Sequence, residues 1–177
     1  MMTRNAVLFL IAASWSVTGV AQAPQMLQGN QITESALVDA LSPAPGAVLT
    51  RSINPGAATK PAQKPAAALL ITFQTNATAL TPQAKRELDV VGQALNTQKL
   101  ADFKFVIEGH ADPRGSPERN LALSQGRAEA VRQYLVANQN VRADRLDAVG
   151  KGDREPLNSG NPGAPENRRV TFVNVSQ

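Results

Sequence analysis

The fold is decided by residues 103–138, which read FKFVIEGHADPRGSPERNLALSQGRAEAVRQYLVAN. The stretch begins with an alternating, β-rich segment, Phe103 to Glu108, whose largest apolar side chains fall on one face. A turn-rich loop follows, and Ser116-Pro117 then offers a helix N-cap with proline at the first helical position. Apolar residues recur at helical spacing from there to about Asn138. This stretch therefore predicts a strand, a loop and a long helix.

The same pattern continues on both sides. Upstream, Leu69 to Phe73 is predicted as a strand and Thr81-Pro82 as the start of an amphipathic helix. Downstream, the strand candidates are Arg145 to Val149 and Val170 to Val175, separated by a loop rich in glycine, proline and asparagine. Strands joined through a helix are expected to be parallel, and alternating strands leave one sheet face to the solvent. We predict an α/β fold, a two-layer α+β sandwich over residues 67–177.

Composition limits the classes of function. A chain of 177 residues suits one domain with modest extensions. It has no cysteine, which excludes disulfides, a thiol nucleophile, a cysteine-ligated metal and a cysteine-linked lipid, and its single histidine argues against histidine-dependent triads. The net charge of +4 comes from interleaved acids and bases, so nucleic acid is not an expected partner. No cofactor and no metal are expected.

The first 23 residues have the layout of a secretory signal peptide. Arg4 precedes an apolar run from Ala6 to Val20, and Ala21-Gln22-Ala23 places small residues where a signal peptidase reads them. We predict cleavage after Ala23. The alternative is an uncleaved membrane anchor, but the run is shorter than the roughly 20 apolar residues that spanning requires.

Residues 24–66 are predicted to be a flexible tether rich in proline and alanine. Within it, only Ile32 to Leu41 has a helical pattern, with Thr33 as its N-cap. Ser42 to Ala66 has few large apolar groups, so burial cannot offset the entropy of ordering it. Composition does not separate a passive spacer from a tether that lets the folded module reach a distant partner.

The loop after the second predicted strand carries the candidate site. Asp112 lies just past the strand, and Asn120 and Arg127, seven residues apart, are nearly in register on one helix face. A carboxylate facing a guanidinium would fit a ligand with an ammonium and a carboxylate on one carbon. Asp112 would accept the ammonium and Arg127 would hold the carboxylate with two hydrogen bonds. From spacing alone, the alternative is that Asp112 and Arg127 pair with each other.

These residues belong to a longer ordered set. Its members are Gly109-His110-Ala111-Asp112, Gly115, Asn120, Leu123-Ser124, Arg127-Ala128, Val131, Leu135, Arg145-Leu146, Gly150, Gly152, Pro156 and Asn167-Arg168-Arg169-Val170. In order and spacing this set resembles the OmpA-like domain, the family of the OmpA C-terminal, Pal and MotB-like domains. The resemblance extends over residues 67–177 and implies a βαβαββ domain with a mixed four-stranded sheet and helices on one face.

The resemblance also implies a function, the non-covalent binding of peptidoglycan in the periplasm through the diaminopimelate of its stem peptide. In the family, the aspartate of a Gly-His-Thr-Asp motif and the arginine of a Leu-Ser-x-x-Arg-Ala motif hold this zwitterion. Here they correspond to Asp112 and Arg127, with Asn120 as a third ligand-binding candidate. The supporting loop residues are Ala111, Arg114, Gly115, Leu123 and Arg168. The protein is expected in the periplasm, either free or associated with the outer membrane.

Three positions depart from the family pattern. Ala111 replaces the usual threonine, Arg119 the aromatic residue before the helical asparagine, and Gln74 an acidic residue after the first strand. None is one of the two principal residues. The departures therefore bear on the affinity for the ligand more than on its class.

Two further side-chain groups have alternative interpretations. Glu108, His110 and Asp112 alternate and could form a metal triad, but we expect Gly109 to end the strand and His110 to brace the loop through a hydrogen bond to the backbone. Arg168-Arg169 could form a phosphate patch, but strand alternation sends the two side chains to opposite faces, so that only one reaches the ligand loop.

Three classes of function remain for comparison. The first is a wall-binding module that does not modify peptidoglycan. The second is an envelope adaptor whose N-terminal segment contacts an outer-membrane or periplasmic protein, with wall binding secondary. The third, an enzyme acting on peptidoglycan, is disfavoured because the sequence offers no nucleophile, metal site or acid–base pair.

Overall fold

The computed structural model of the protein describes residues 24–43, 64–71, 73 and 77–176. The predicted signal peptide, residues 44–63 of the predicted tether and Gln74 lie outside the described residues. In chain order, the strands and α-helices are β1 (Gln25–Leu27), α1 (Glu34–Leu41), β2 (Ala66–Leu69), α2 (Pro82–Leu95), β3 (Phe105–His110), α3 (Pro117–Gln139), β4 (Leu146–Gly152) and β5 (Val170–Asn174). Short 3-10 helices occupy Gly29–Gln31, Ala143–Arg145 and Pro165–Asn167.

The strands form one mixed sheet in the order β1-β2-β5-β3-β4. Strand β5 is antiparallel to both of its neighbours, β2 and β3, whereas the β1–β2 and β3–β4 pairs are parallel. The predicted mixed sheet is confirmed, with five strands in place of four. Strands β2 and β3, which α2 connects, run parallel but are not neighbours because β5 lies between them.

Both proline-led helices begin where the sequence predicts. The Thr81 hydroxyl accepts a hydrogen bond from the Ala84 N–H (3.1 Å), and the Ser116 hydroxyl accepts one from the Arg119 N–H (3.3 Å). These bonds satisfy backbone donors that the first helical turn leaves without partners. Helix α3 ends at Gln139, followed by Asn140 in the left-handed conformation with φ 54°.

One hydrophobic core lies between the sheet and the three α-helices, all on the same sheet face. Its largest fully buried side chains are Phe105, Phe172, Leu37, Leu41, Leu69, Leu88, Leu95, Leu100, Ile107, Leu135, Leu146 and Val91. The helices therefore lie on one face, as predicted. Among the described residues, no helix combines the length and apolar character needed to cross a bilayer.

The N-terminal part of the predicted tether belongs to this core, so the predicted domain start at residue 67 is wrong. Strand β1 pairs with β2 through residues 25–27, and Leu37 and Leu41 of α1 are completely buried. The Asn174 side chain donates a hydrogen bond to the Leu41 carbonyl (2.9 Å), which ties α1 to β5. The average composition of residues 24–66 does not predict this packing, because a few well-spaced leucines suffice to bury one face of a short helix.

Two predicted strand boundaries also shift. Strand β2 ends at Leu69, and Phe73 forms only an isolated bridge with Leu80. Strand β3 continues to His110, so Gly109 does not end it. Gly109 is instead a packing position, because a Cβ there would overlap the Ser124 carbonyl oxygen of α3.

Candidate functional site

Two backbone hydrogen bonds hold the start of the loop that carries Asp112. The His110 N–H donates to the Arg169 carbonyl (2.9 Å), and the Ala111 N–H donates to the Gly152 carbonyl (2.8 Å). Ala111 is buried and its backbone makes the second of these contacts. Asp112 therefore leaves the sheet at a fixed point between β4 and the residues that lead into β5.

The Asp112 carboxylate is largely buried and held by two arginines. Arg114 donates to its Oδ2 from Nε (3.1 Å) and Nη2 (2.6 Å) and from its backbone N–H to Oδ1 (3.2 Å). Arg168 donates to Oδ2 from Nη1 (2.7 Å). The hydrogen bonds from Arg114, with help from Arg168, lower the Asp112 pKa to about 2 although burial opposes the shift. Asp112 is therefore ionised at neutral pH.

Arg127 occupies the facing side of the site on α3. Its Nε donates to the Ala77 carbonyl (3.3 Å), and its guanidinium carbon lies 4.9 Å from the centre of the Phe73 ring. Burial lowers the Arg127 pKa, the nearby Arg168 charge lowers it further, and Asp112 raises it. In the part of the chain that the structure describes, Arg127 and Asp112 form no direct ion pair. The alternative derived from spacing, in which these two residues pair with each other, is therefore not observed.

Asn120 lies in the first turn of α3 and is buried. Its Nδ2 donates to Asp153 Oδ2 (3.1 Å). Gly115 has φ +116°, and a Cβ there would lie 3.3 Å from Asn120 Oδ1, so both conformation and space favour glycine. Leu123, four residues before Arg127, is partly exposed on α3.

Sequence reasoning missed three contributors to this geometry. Phe73 was predicted only as a strand residue, and neither the Ala77 carbonyl nor Asp153 was considered. The position of Phe73 at the end of the first predicted strand was the one sequence feature that could have indicated a ring for an arginine to pack against. The carbonyl and Asp153 had no comparable signal, since their contacts depend on loop conformation.

His110 lies beside the site without bracing the loop through its side chain. Burial and the charges of Arg169 and Lys151 lower its pKa to about 3, so the ring is neutral. Among the described residues, its ring nitrogens have no hydrogen-bond partner, and it is the His110 backbone N–H that holds the loop. Glu108 lies on the same sheet face, 3.8 Å from His110 Nε2, whereas Asp112 is engaged by arginines. These three residues therefore do not form a metal set.

Arg168 and Arg169 separate as strand alternation predicts. Arg168 reaches Asp112, while the buried Arg169 donates from Nη2 to the Glu155 carbonyl (3.2 Å). The two guanidiniums do not form a joint phosphate patch. The site thus has one ionised carboxylate among three arginines, and this suits a ligand that brings an ammonium together with a carboxylate.

The chain is similar to known proteins of one family. A family model described as the OmpA family matches residues 72–169. The peptidoglycan-associated lipoprotein of Pseudomonas putida is 39% identical over 100 residues, which are 55% of this chain and 58% of that protein. The peptidoglycan-associated lipoprotein of Mesorhizobium japonicum is 30% identical over 156 residues, 88% of this chain and 82% of that protein.

A solved structure gives the same likeness in three dimensions. The crystal structure of the peptidoglycan-associated lipoprotein from Burkholderia pseudomallei superimposes with a TM-score of 0.52 and 31% identity, covering 59% of this chain and 87% of that one. The chain spans somewhat less than two thirds of the length of several curated relatives, including the one from Pseudomonas putida.

Proposed function

The chain belongs to the OmpA family, and from this premise we propose that it binds peptidoglycan non-covalently through the diaminopimelate of the stem peptide. The observation that carries the proposal is that an ionised Asp112 lies near Arg127 without forming an ion pair with it, which leaves the terminal nitrogens of the guanidinium for a ligand. The two charges lie close enough to influence each other, yet each remains able to take one end of a zwitterion.

Each end of the ligand has a defined receptor. Asp112 accepts hydrogen bonds from the ligand ammonium, and Arg127 holds the carboxylate with its terminal nitrogens. Stacking on Phe73 and the bond to the Ala77 carbonyl orient the guanidinium before the ligand arrives. Such preorganisation reduces the entropy lost on binding.

The names of the relatives support the same ligand class. Several are peptidoglycan-associated lipoproteins, and one is an outer membrane protein A. We place the protein in the bacterial envelope as a binding module that leaves peptidoglycan unmodified, in the periplasm after removal of residues 1–23. Association with the outer membrane or with another envelope protein belongs to the same proposal.

The alternative adaptor role assigns the partner contact to the N-terminal segment, which includes Ile32 to Leu41. Ile32, Leu37 and Leu41 are buried in the core, so this part of the segment does not offer its apolar face to a partner. That apolar face is already used within the domain.

Co-sedimentation with purified sacculi tests the proposal. The wild-type protein is expected in the pellet, and Asp112→Ala is expected to remain in the supernatant because the ammonium loses its acceptor. Asp144→Ala is the control, since Asp144 also pairs with an arginine two residues away but has an exposed side chain. Release of soluble muropeptides from the same sample would argue for an enzyme. Equal sedimentation of a folded Asp112→Ala variant would refute the site.

A further inference from the structure

Asp112 is not an empty receptor in the ligand-free protein. Arg114 gives it three hydrogen bonds, two of them from the guanidinium to Oδ2, the oxygen that Arg168 also contacts. Guanidinium–carboxylate bonds of this kind are the strongest that a neutral-pH carboxylate accepts from a side chain. An incoming ammonium must therefore replace one of the guanidinium donors at Oδ2 or bind beside them at Oδ1, which among the described residues accepts only the Arg114 backbone N–H.

The two arginines differ in how easily they can leave. The Arg114 side chain is 70% exposed, and every side-chain hydrogen bond it makes in the described structure goes to Asp112. The Arg168 side chain is 37% exposed. In the chain, Arg168 is followed by Arg169, whose carbonyl accepts a hydrogen bond from His110 of β3, and then by β5, which pairs with β3. Arg114 can swing into solvent with little loss of packing, whereas Arg168 lies next to β5 and its Nη1 also donates to the Gly163 carbonyl (3.5 Å).

We propose that Arg114 is an internal competitor for Asp112, which the ligand ammonium displaces on binding, and that this exchange limits the affinity of the site. The inference rests on the proposed function. Arg168 stays on the carboxylate and holds it in place while Arg114 moves out. Binding then exchanges one cation for another at Asp112, so the net gain there is smaller than a free carboxylate would give.

The expected effect is an affinity that rises when the competitor is removed. Because the Arg114 side chain is largely exposed, its ion pair with the buried Asp112 contributes modestly, and Arg114→Ala should bind about two- to fivefold more tightly than wild type. Arg114→Lys retains a cation but loses the two-pronged guanidinium, so its affinity should fall between the two. Arg142→Ala removes an equally exposed, paired arginine elsewhere and should leave affinity unchanged.

Isothermal titration calorimetry with a soluble muropeptide ending in diaminopimelate tests the inference. The proteins to compare are wild type, Arg114→Ala, Arg114→Lys, Arg142→Ala and Asp112→Ala. A parallel NMR experiment follows the Arg114 Nε–H signal, which should move toward that of a free arginine as ligand is added. Tighter binding by Arg114→Ala together with this movement supports competition.

The outcomes separate the inference from the proposed function. If wild type binds and Asp112→Ala does not, while Arg114→Ala binds equally or more weakly, the function stands and the competition is refuted, because Arg114 would then be neutral or would hold the ligand itself. An Arg114 signal unmoved at saturation also refutes it. Failure of wild type to bind the muropeptide overturns the proposed function and the competition with it.

Discussion

Replacing Arg127 separates a shaped receptor from a simple positive charge. The Arg127 guanidinium is half-buried, lies over the Phe73 ring, and its Nε donates a hydrogen bond to the Ala77 carbonyl. Its terminal nitrogens form the fork that the ligand carboxylate needs. Lysine at this position keeps the charge but has neither the fork nor the flat face.

The magnitude follows from burial. Truncating one partner of a buried, hydrogen-bonded charge pair costs about 2–5 kcal/mol. Because Arg127 is partly exposed, we expect Arg127→Ala to lose about 2–3 kcal/mol of binding free energy, or roughly 30- to 150-fold in Kd. Arg127→Lys keeps the Coulomb attraction and should lose about tenfold.

Isothermal titration with a diaminopimelate muropeptide measures both losses. Arg132→Lys is a matched control on the same helix, because the Arg132 Nε also donates to a backbone carbonyl, that of Leu146 (2.7 Å), away from the site. It should bind like wild type. If Arg127→Lys also binds like wild type, the carboxylate is attracted only by charge, and the two-point geometry argued for Arg127 is refuted.

Three further predictions concern the domain itself. The neutral, buried His110 has a pKa of about 3, so below about pH 6.5 the unfolded chain binds a proton that the folded chain does not bind. The free energy of unfolding should therefore fall by up to about 1.4 kcal/mol per pH unit from about pH 6.5 toward pH 3. Urea titrations of His110→Gln should show a smaller slope. Leu41→Ala should lower the free energy of unfolding by about 3–5 kcal/mol because Leu41 is fully buried, whereas Asp39→Ala should change it little because Asp39 is exposed. Equal urea midpoints for the two variants would show that α1 is not part of the folded core. Gly109→Ala should destabilise the domain by more than about 1 kcal/mol, since the new methyl group overlaps α3, and an unchanged thermal midpoint would contradict that packing.

The sequence was most informative where structure is locally determined. Thr81 and Ser116, each followed by proline, set the starts of α2 and α3, because capping needs only the hydroxyl and the next few backbone N–H groups. The seven-residue spacing of Asn120 and Arg127 likewise placed both residues on the same side of α3. These features do not depend on distant parts of the chain.

Longer-range features were harder to predict. The burial of α1 depends on a groove that β2, β5 and α2 create, and nothing within residues 24–43 describes that groove. The partners of Asp112 depend on the path of the loop through Gly115, so the sequence showed a carboxylate near several arginines without showing which would contact it. Periodicity alone also could not insert β5 between β2 and β3.

The most direct test of the central claim compares the diaminopimelate muropeptide with one that has lysine at the same stem position. Lysine retains the ammonium for Asp112 but lacks the carboxylate for Arg127. Wild type should bind the diaminopimelate ligand at least about tenfold more tightly, and Arg127→Ala should bind both ligands equally weakly. Equal affinity of wild type for the two ligands would contradict recognition of a zwitterion between Asp112 and Arg127.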